Sequence, residues 1–193
     1  MKNIILPNFG YVEDRIPNDL YESLLLESNK AEFQNSEMIS NLSDDYVAKH
    51  FYVNDNKIKL HNYIATVLDN YLLYYPKSAD IRLATTDLPF QSNKPWFNYQ
   101  RQGEYLPSHD HDGIYSYNIW LKIPKKCLFE FTYTNIIGNL TQHKIILTPE
   151  DEGKIIFFHA KLPHVAYPFL GSDDVRISVA GNILFKGYND KRA

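Results

Sequence analysis

The chain is poor in cysteine, in clustered basic residues and in long apolar segments, and each of these absences excludes a class of protein. Its 193 residues include a single cysteine, Cys127, so an internal disulfide is excluded and a reducing compartment such as the cytoplasm is expected. The formal net charge is −3 without a long basic run, which argues against a duplex nucleic-acid partner. No segment is apolar over the length of a bilayer or a signal peptide, so we expect no membrane partner.

What the chain does contain is material for a core, at 44% hydrophobic and 15% aromatic residues. This composition and length favour a single domain over residues 1–193. Residues 1–80 are predicted to be mostly helical support, with one helix from Pro17 to about Lys30 and an amphipathic helix over 56–75 that Pro76 ends.

From about residue 81 to 186 the pattern changes to short apolar segments separated by Gly, Pro and Asn turns. Such a pattern is typical of a β-sandwich or jelly roll, here with helices packed on one sheet. The predicted strands are 96–101, 116–123, 127–134, 142–147, 153–158 and 175–185.

Three histidines carry the strongest chemical signal. His109 and His111 are two residues apart, and His164 follows 53 positions later. On an extended segment, side chains at i and i+2 point to one face. A third imidazole from a distant strand can then complete a three-sided metal site with open coordination positions.

The remaining histidines, His50, His61, His143 and His159, are given ordinary surface or core roles.

The sequence around these histidines resembles the superfamily of iron(II)- and 2-oxoglutarate-dependent oxygenases, in its compact bacterial and phage form. The likeness covers about 90 residues, from Trp96 to Leu184. In order, it consists of Trp96–Gly103, the His109–His111 pair, Glu152–Phe158, His164 and Asp174–Asn182. The resemblance implies a double-stranded β-helix (jelly roll).

The chain departs from the family at one metal ligand. Most members have His-x-Asp or His-x-Glu, whereas this chain has His109-Asp110-His111. If Gly103 fixes the register, His111 takes the position of the acid. Regular alternation points Asp110 and Asp112 to the opposite face, although a β-bulge could turn one of them inward. The resemblance therefore implies iron held by His109, His111 and His164, with Asp110 or Asp112 as the reserve carboxylate.

The resemblance also assigns a cosubstrate site. In the family, an Arg on the strand after the distal His binds the far carboxylate of 2-oxoglutarate, and here that residue is Arg176, with Ser178 on the same face. A planar guanidinium suits this role because it can form two parallel bonds to a carboxylate. Asn98 and Gln100 share one face of the preceding strand and are candidates for further polar contacts.

The implied reaction uses Fe(II), O2 and 2-oxoglutarate, releases succinate and CO2, and oxidises a C–H bond of an unidentified substrate. A protein side chain such as proline is the first expectation, from fold relatives alone.

Two alternatives stay open. The first is a cupin, because the cupin motif also begins with a glycine, five intervening residues and His-x-His, as in Gly103 to His111. Cupins include three-histidine iron dioxygenases that need no cosubstrate. Against this alternative, the Glu expected downstream is missing and Arg176 would have no role. The other is a non-catalytic metal- or acid-binding module on the same fold.

Overall fold

The two helices lie where the sequence predicts them. The computed structural model describes residues 10–31, 49–76 and 89–186. Within these ranges, α1 spans Asn18–Ala31, α2 spans Lys57–Tyr74 and a short 3-10 turn spans Pro149–Asp151. The change from helical support to strands, expected near residue 80 within the single domain, lies outside the described residues. None of the helices in these ranges is long and apolar enough to cross a membrane.

Eleven strands are present in the described part of the chain, and every pairing between them is antiparallel. Their bounds are β1 Tyr11–Arg15, β2 Lys49–Tyr52, β3 Phe90–Ser92, β4 Trp96–Gln100, β5 Leu106–His109, β6 Tyr115–Lys122, β7 Cys127–Thr134, β8 Leu140–Leu147, β9 Lys154–His159, β10 His164–Ala166 and β11 Arg176–Phe185.

The strands form two sheets. The larger has the order β1-β9-β6-β11-β4-β2, with β3 paired to β11, and the smaller has the order β5-β10-β7-β8. Strands β4 to β11 therefore divide between two facing sheets as a double-stranded β-helix does. The predicted jelly roll is confirmed, and all six predicted strands are found within two residues of their predicted bounds.

Five strands were not predicted. β1 and β2 lie in the part of the chain that we expected to be mostly helical, and they form the two ends of the larger sheet. β3, β5 and β10 have only three or four residues each, too few for the alternation of apolar and polar residues to be recognised. Two of these short strands, β5 and β10, carry two of the three candidate metal ligands, His109 and His164.

Alternation along the strands separates two apolar cores. Side chains on one face of the larger sheet, among them Phe97, Ile119 and Val179, pack against the helices. On the other face, Trp120, Phe158 and their neighbours pack against the smaller sheet. That inner face is not apolar throughout, because on β4 and β11 its buried positions include the polar side chains of Asn98, Gln100, Arg176, Ser178 and Asn182. Buried polar groups need partners, so this end of the space between the sheets can hold a polar ligand.

Candidate active site

Two neighbouring strands place His109 and His164 side by side. His109 is the last residue of β5, His164 is the first of β10, and the two are directly paired across the smaller sheet. The sequence analysis placed His111 on the same extended segment as His109. In the structure β5 has already ended, and the backbone N–H of His111 donates to the carbonyl of Ala160 at 2.9 Å.

The turn after His111 requires glycine. Gly113 has φ of +106°, and a Cβ built on it would lie 2.7 Å from the carbonyl oxygen of Ile183. A side chain at this position is therefore excluded by both backbone conformation and space. The need for glycine here arises from the close approach of this loop to β11.

The three imidazoles converge on one point. One ring nitrogen from each of His109, His111 and His164 lies within 4.8 Å of the others. The Nε2 atoms of His111 and His164 are 3.2 Å apart. Two nitrogen ligands at about 2.1 Å from one metal ion, at roughly a right angle, are themselves about 3 Å apart. The spacing of the rings therefore suits a single ion between them.

Backbone carbonyls set the orientation of two of these rings. Nδ1 of His109 lies 2.7 Å from the carbonyl oxygen of Pro107, and Nδ1 of His164 lies 2.9 Å from that of Leu162. A carbonyl only accepts, so each Nδ1 donates its proton to the carbonyl and Nε2 is the ring nitrogen turned to the centre of the cluster. This second hydrogen bond is typical of metal-binding histidines.

Burial keeps two of the histidines uncharged. It lowers the pKa of His111 to about 3 and that of His164 to about 4, and the neighbouring imidazoles act in the same direction. A metal ion binds the neutral ring. At neutral pH the site is therefore ready to accept a cation without first releasing protons from these two side chains.

In the part of the chain that the structure describes, no carboxylate belongs to the cluster formed by His109, His111 and His164. Asp110 is half exposed, and its Oδ1 lies 3.6 Å from Nζ of Lys161 on the surface. Asp112 is likewise not part of the group. The described geometry thus favours three imidazoles over either reserve acid.

Arg176 and Gln100 form the second part of the site. Both are buried, with 3% exposure each. Oε1 of Gln100 accepts hydrogen bonds from Nε and Nη2 of Arg176 at 3.0 and 2.7 Å, and Nη1 of Arg176 donates to the carbonyl of Tyr167 at 2.9 Å. A guanidinium has five N–H donors. Three are accounted for by these bonds, and the buried Nε2 of Gln100 has no partner. Arg176 and Gln100 can together hold an anion.

Asn98 and Ser178 link the two parts. Nδ2 of Asn98 donates to Oγ of Ser178 at 3.3 Å, while its Oδ1 accepts from the indole N–H of Trp96 at 3.0 Å. The Trp96 ring centroid is 6.1 Å from that of His111. These contacts bring Asn98, Gln100, Arg176 and Ser178 to the same inner face, as the residue pattern predicted.

One further residue of this face, His50, was not predicted from the sequence. His50, on β2, is directly opposite Asn98 on β4, so both side chains point to the same side of the sheet. Burial, together with the charge of His109, lowers the pKa of His50 to about 4. Its enclosed Nε2 has no hydrogen-bond partner. The available signal was weak, since β2 is too short to show which way His50 points.

The other histidines lie elsewhere. His61 bonds through Nε2 to the carbonyl of Asn93, and His143 bonds through Nε2 to the hydroxyl of Tyr11. Nδ1 of His159 accepts a hydrogen bond from the backbone N–H of Lys161. None of the three belongs to the metal-type cluster found in the described residues.

Comparison with known proteins identifies the fold. No family model and no curated protein sequence matches the chain. Among solved structures, it is similar to a prolyl-4-hydroxylase from Pseudomonas putida, with a TM-score of 0.60 and 16% identity over 93% of this chain and 94% of that one. It is also similar to the non-heme, α-ketoglutarate-dependent epimerase SnoN of nogalamycin biosynthesis (TM-score 0.66, 14% identity, covering 92% of this chain and 78% of that one).

A third similar structure, HygX from Streptomyces hygroscopicus, was determined with nickel and 2-oxoglutarate bound. Its TM-score is 0.61, with 10% identity over 94% of this chain and 85% of that one. The chain therefore has the double-stranded β-helix found in these oxygenases, as its sequence resemblance implied.

Proposed function

We propose that the protein is an Fe(II)- and 2-oxoglutarate-dependent oxygenase. The observation that carries the proposal is the combination of two sites on facing sheets. Three imidazoles converge at one end of the inner space, and a buried guanidinium with unused N–H donors lies on the inner face opposite. A ligand with a metal-binding end and a carboxylate end matches this pair of sites, and 2-oxoglutarate is such a ligand.

In this proposal His109, His111 and His164 hold the iron through Nε2. Their chemistry fits the ion, because imidazole nitrogen is a suitable ligand for iron, and a three-sided set leaves coordination positions open. The carbonyls of Pro107 and Leu162 keep two of the rings in the orientation that binding requires.

Arg176 and Gln100 hold the far carboxylate of the cosubstrate. Two N–H groups of Arg176 remain after its three bonds inside the protein, which is the number that a bidentate contact uses. The unpartnered Nε2 of Gln100 provides a further donor. Removing an anion from water is costly unless its oxygen atoms are hydrogen-bonded, and these donors meet that requirement.

When bound, the iron and O2 supply the oxidising chemistry, with 2-oxoglutarate converted to succinate and CO2. The protein's own contribution is to orient the cosubstrate and exclude bulk water. We propose hydroxylation as the reaction and a protein side chain such as proline as the first substrate class to examine. The similarity to a prolyl-4-hydroxylase over nearly the whole of both chains supports this choice.

The two alternatives make different use of the same residues. A cupin-type dioxygenase would use the three histidines but would leave the buried Arg176–Gln100 pair without a ligand. A binding module would use both sites without turnover, which the missing acid ligand would favour. Only the proposed oxygenase forms succinate.

The deciding experiment supplies the purified protein with Fe(II), 2-oxoglutarate, ascorbate and O2, and measures succinate by mass spectrometry. We expect slow formation in the absence of a primary substrate. The control is the same mixture with Arg176→Ala, in which formation should be lost. Tight binding of 2-oxoglutarate without succinate would favour the binding module, and neither binding nor succinate would favour the cupin alternative.

A further inference from the structure

His50 is the one polar side chain described on this inner face whose enclosed ring nitrogen is left without a partner and without an assigned role. Its Nε2 is shielded from water and makes no hydrogen bond. A buried polar atom without a partner costs free energy, and such an atom beside a candidate active site is explained most simply by a ligand that completes its bonding.

Its place in the sheet brings His50 close to the metal-type cluster. His109 contributes to the lowered pKa of His50, and His50 contributes to the lowered pKa of His111, as expected for neighbouring rings. His50 is nevertheless not part of the cluster of three imidazoles. It therefore lies beside the cluster, as a neighbour and not as a fourth ligand.

Distances along the sheet fit a ligand that reaches from Gln100 to His50. His50 is opposite Asn98 on β4, so Gln100, two residues further along β4, is its diagonal neighbour. Diagonal neighbours on one face are about 7–8 Å apart. A five-carbon diacid has four C–C bonds of about 1.5 Å and spans roughly 5 Å between its carboxyl carbons. A diacid whose far end is held at Gln100 and Arg176 can present its near end to His50.

The intervening residue, Asn98, already has partners at both ends of its amide. It lies between His50 and β11, its Oδ1 accepts from Trp96 and its Nδ2 donates one N–H to Ser178. In His50, by contrast, the enclosed Nε2 has no partner. The imidazole of His50 is uncharged and has one N–H, which is suited to a carboxylate oxygen that is not itself bound to metal.

We propose that Nε2 of His50 donates a hydrogen bond to the 1-carboxylate of 2-oxoglutarate and so positions the cosubstrate at the metal. This inference rests on the proposed function, because it takes 2-oxoglutarate to be the diacid. It assigns the extra strand β2, which lies outside the eight strands of the jelly roll, a role in the active site.

The test measures binding without turnover. The protein is loaded with Mn(II) in the absence of O2, and 2-oxoglutarate is titrated by calorimetry into wild type, His50→Leu and His50→Gln. Loss of one hydrogen bond to a charged group corresponds to about tenfold weaker binding, which we expect for His50→Leu. His50→Gln keeps an N–H near the position of Nε2 and should recover part of the affinity. His143→Leu serves as a control for removing a histidine elsewhere.

A second ligand distinguishes a direct contact from a change in packing. In 4-oxopentanoate a methyl group replaces the 1-carboxylate, while the ketone and far carboxylate remain. Its affinity, measured by competition, should be the same in wild type and His50→Leu. Equal weakening of both ligands would show that His50 acts only through packing, and would overturn the proposal.

Two further outcomes are distinguishable. Weaker Mn(II) binding in His50→Leu would make His50 part of the metal site, and unchanged 2-oxoglutarate affinity would remove it from the cosubstrate site; either overturns this inference but leaves the proposed function intact. If the wild-type protein binds no 2-oxoglutarate, the proposed function fails and the His50 contact fails with it.

Discussion

The side-chain carbonyl of Gln100 accepts two hydrogen bonds from Arg176, from Nε at 3.0 Å and from Nη2 at 2.7 Å. This contact between β4 and β11 fixes the plane of the guanidinium and leaves the amide Nε2 of Gln100 buried and unpartnered. A fixed guanidinium loses little further freedom on binding a carboxylate. The pair is therefore arranged before the ligand arrives.

The first prediction concerns Arg176. Arg176→Ala should weaken 2-oxoglutarate binding by about 2–5 kcal/mol, the usual cost of removing one partner of a buried charge pair. Arg176→Lys should have a smaller effect, because it keeps the charge and loses the fork. Calorimetry with the Mn(II)-loaded protein measures both. Lys122→Ala removes a surface cation, paired with Asp174 at 3.0 Å, and should leave the affinity unchanged.

Gln100→Leu tests the contribution of the neighbouring amide. It removes both the acceptor that holds Arg176 and the unpartnered donor, and we expect about tenfold weaker 2-oxoglutarate binding with an intact fold. Wild-type affinity in Gln100→Leu, alongside a large loss in Arg176→Ala, would show that Arg176 needs no positioning by Gln100.

Metal binding is the second prediction. His109→Ala and His164→Ala should each lose most of the bound iron, and His111→Ala should also lose iron, because all three rings meet at one point. Asp110→Ala and Asp112→Ala should keep it. Metal content after dialysis, measured by atomic emission, provides the comparison. Retention of iron by His111→Ala together with its loss from Asp112→Ala would replace His111 by Asp112 in the ligand set.

Restoring the usual acid is the third prediction. His111→Asp should keep its metal and form succinate at the wild-type rate or faster, since a carboxylate lowers the positive charge of the iron site. The measurement is succinate formed per bound iron in wild type and variant. If turnover falls while iron is retained, an acid elsewhere already occupies the ligand position, and a second one repels it.

The fourth prediction is a dependence of stability on pH. In the metal-free protein the pKa values of His111 and His164 are lowered from 6.5 to about 3 and about 4. Below pH 6.5 the unfolded chain therefore takes up protons that the folded protein does not, so stability falls as the pH drops from 6.5 towards 4 and changes little from this source above 6.5. Urea unfolding at pH 7.5 and pH 5.0 measures the difference.

The matched variant for this experiment is His111→Asn, which removes one of the two titrating rings. Its stability should fall less between pH 7.5 and pH 5.0 than that of the wild type. If the wild type and His111→Asn lose the same free energy of unfolding between pH 7.5 and pH 5.0, His111 does not cause the pH dependence.

The fifth prediction concerns a structural carboxylate far from the site. Glu27, buried in α1 with 6% exposure, accepts hydrogen bonds from the backbone N–H groups of Asn54, Asp55 and Asn56 at 2.6, 2.8 and 2.9 Å. It thereby connects α1 to the turn between β2 and α2. Glu27→Gln should lower the free energy of unfolding by about 1–3 kcal/mol, measured by urea unfolding. Glu22→Gln, exposed on the same helix, should have no comparable effect; equal losses would contradict the proposed role of Glu27.

The sequence determined the two helices, the six longer strands and the jelly-roll class, because amphipathic period and turn residues are local properties. Pro17 precedes α1 and Pro76 follows α2. Both positions could be predicted because proline restricts its own backbone and that of the residue before it. The spacing of the histidines and the Arg-x-Ser segment could also be recognised in the sequence. The structure brings these side chains to facing sheets.

Only the tertiary structure decided which side chains are neighbours across the sheets. Gln100 and Arg176 are 76 residues apart and His50 and Asn98 are 48 apart, so neither contact has a signature in the local pattern. The same holds for His111, whose position depends on the end of β5, the carbonyl of Ala160 and the tight turn at Gly113. Alternation along a strand fixes the face to which a side chain points, but the partner it meets there depends on strand pairing, which forms between distant parts of the chain.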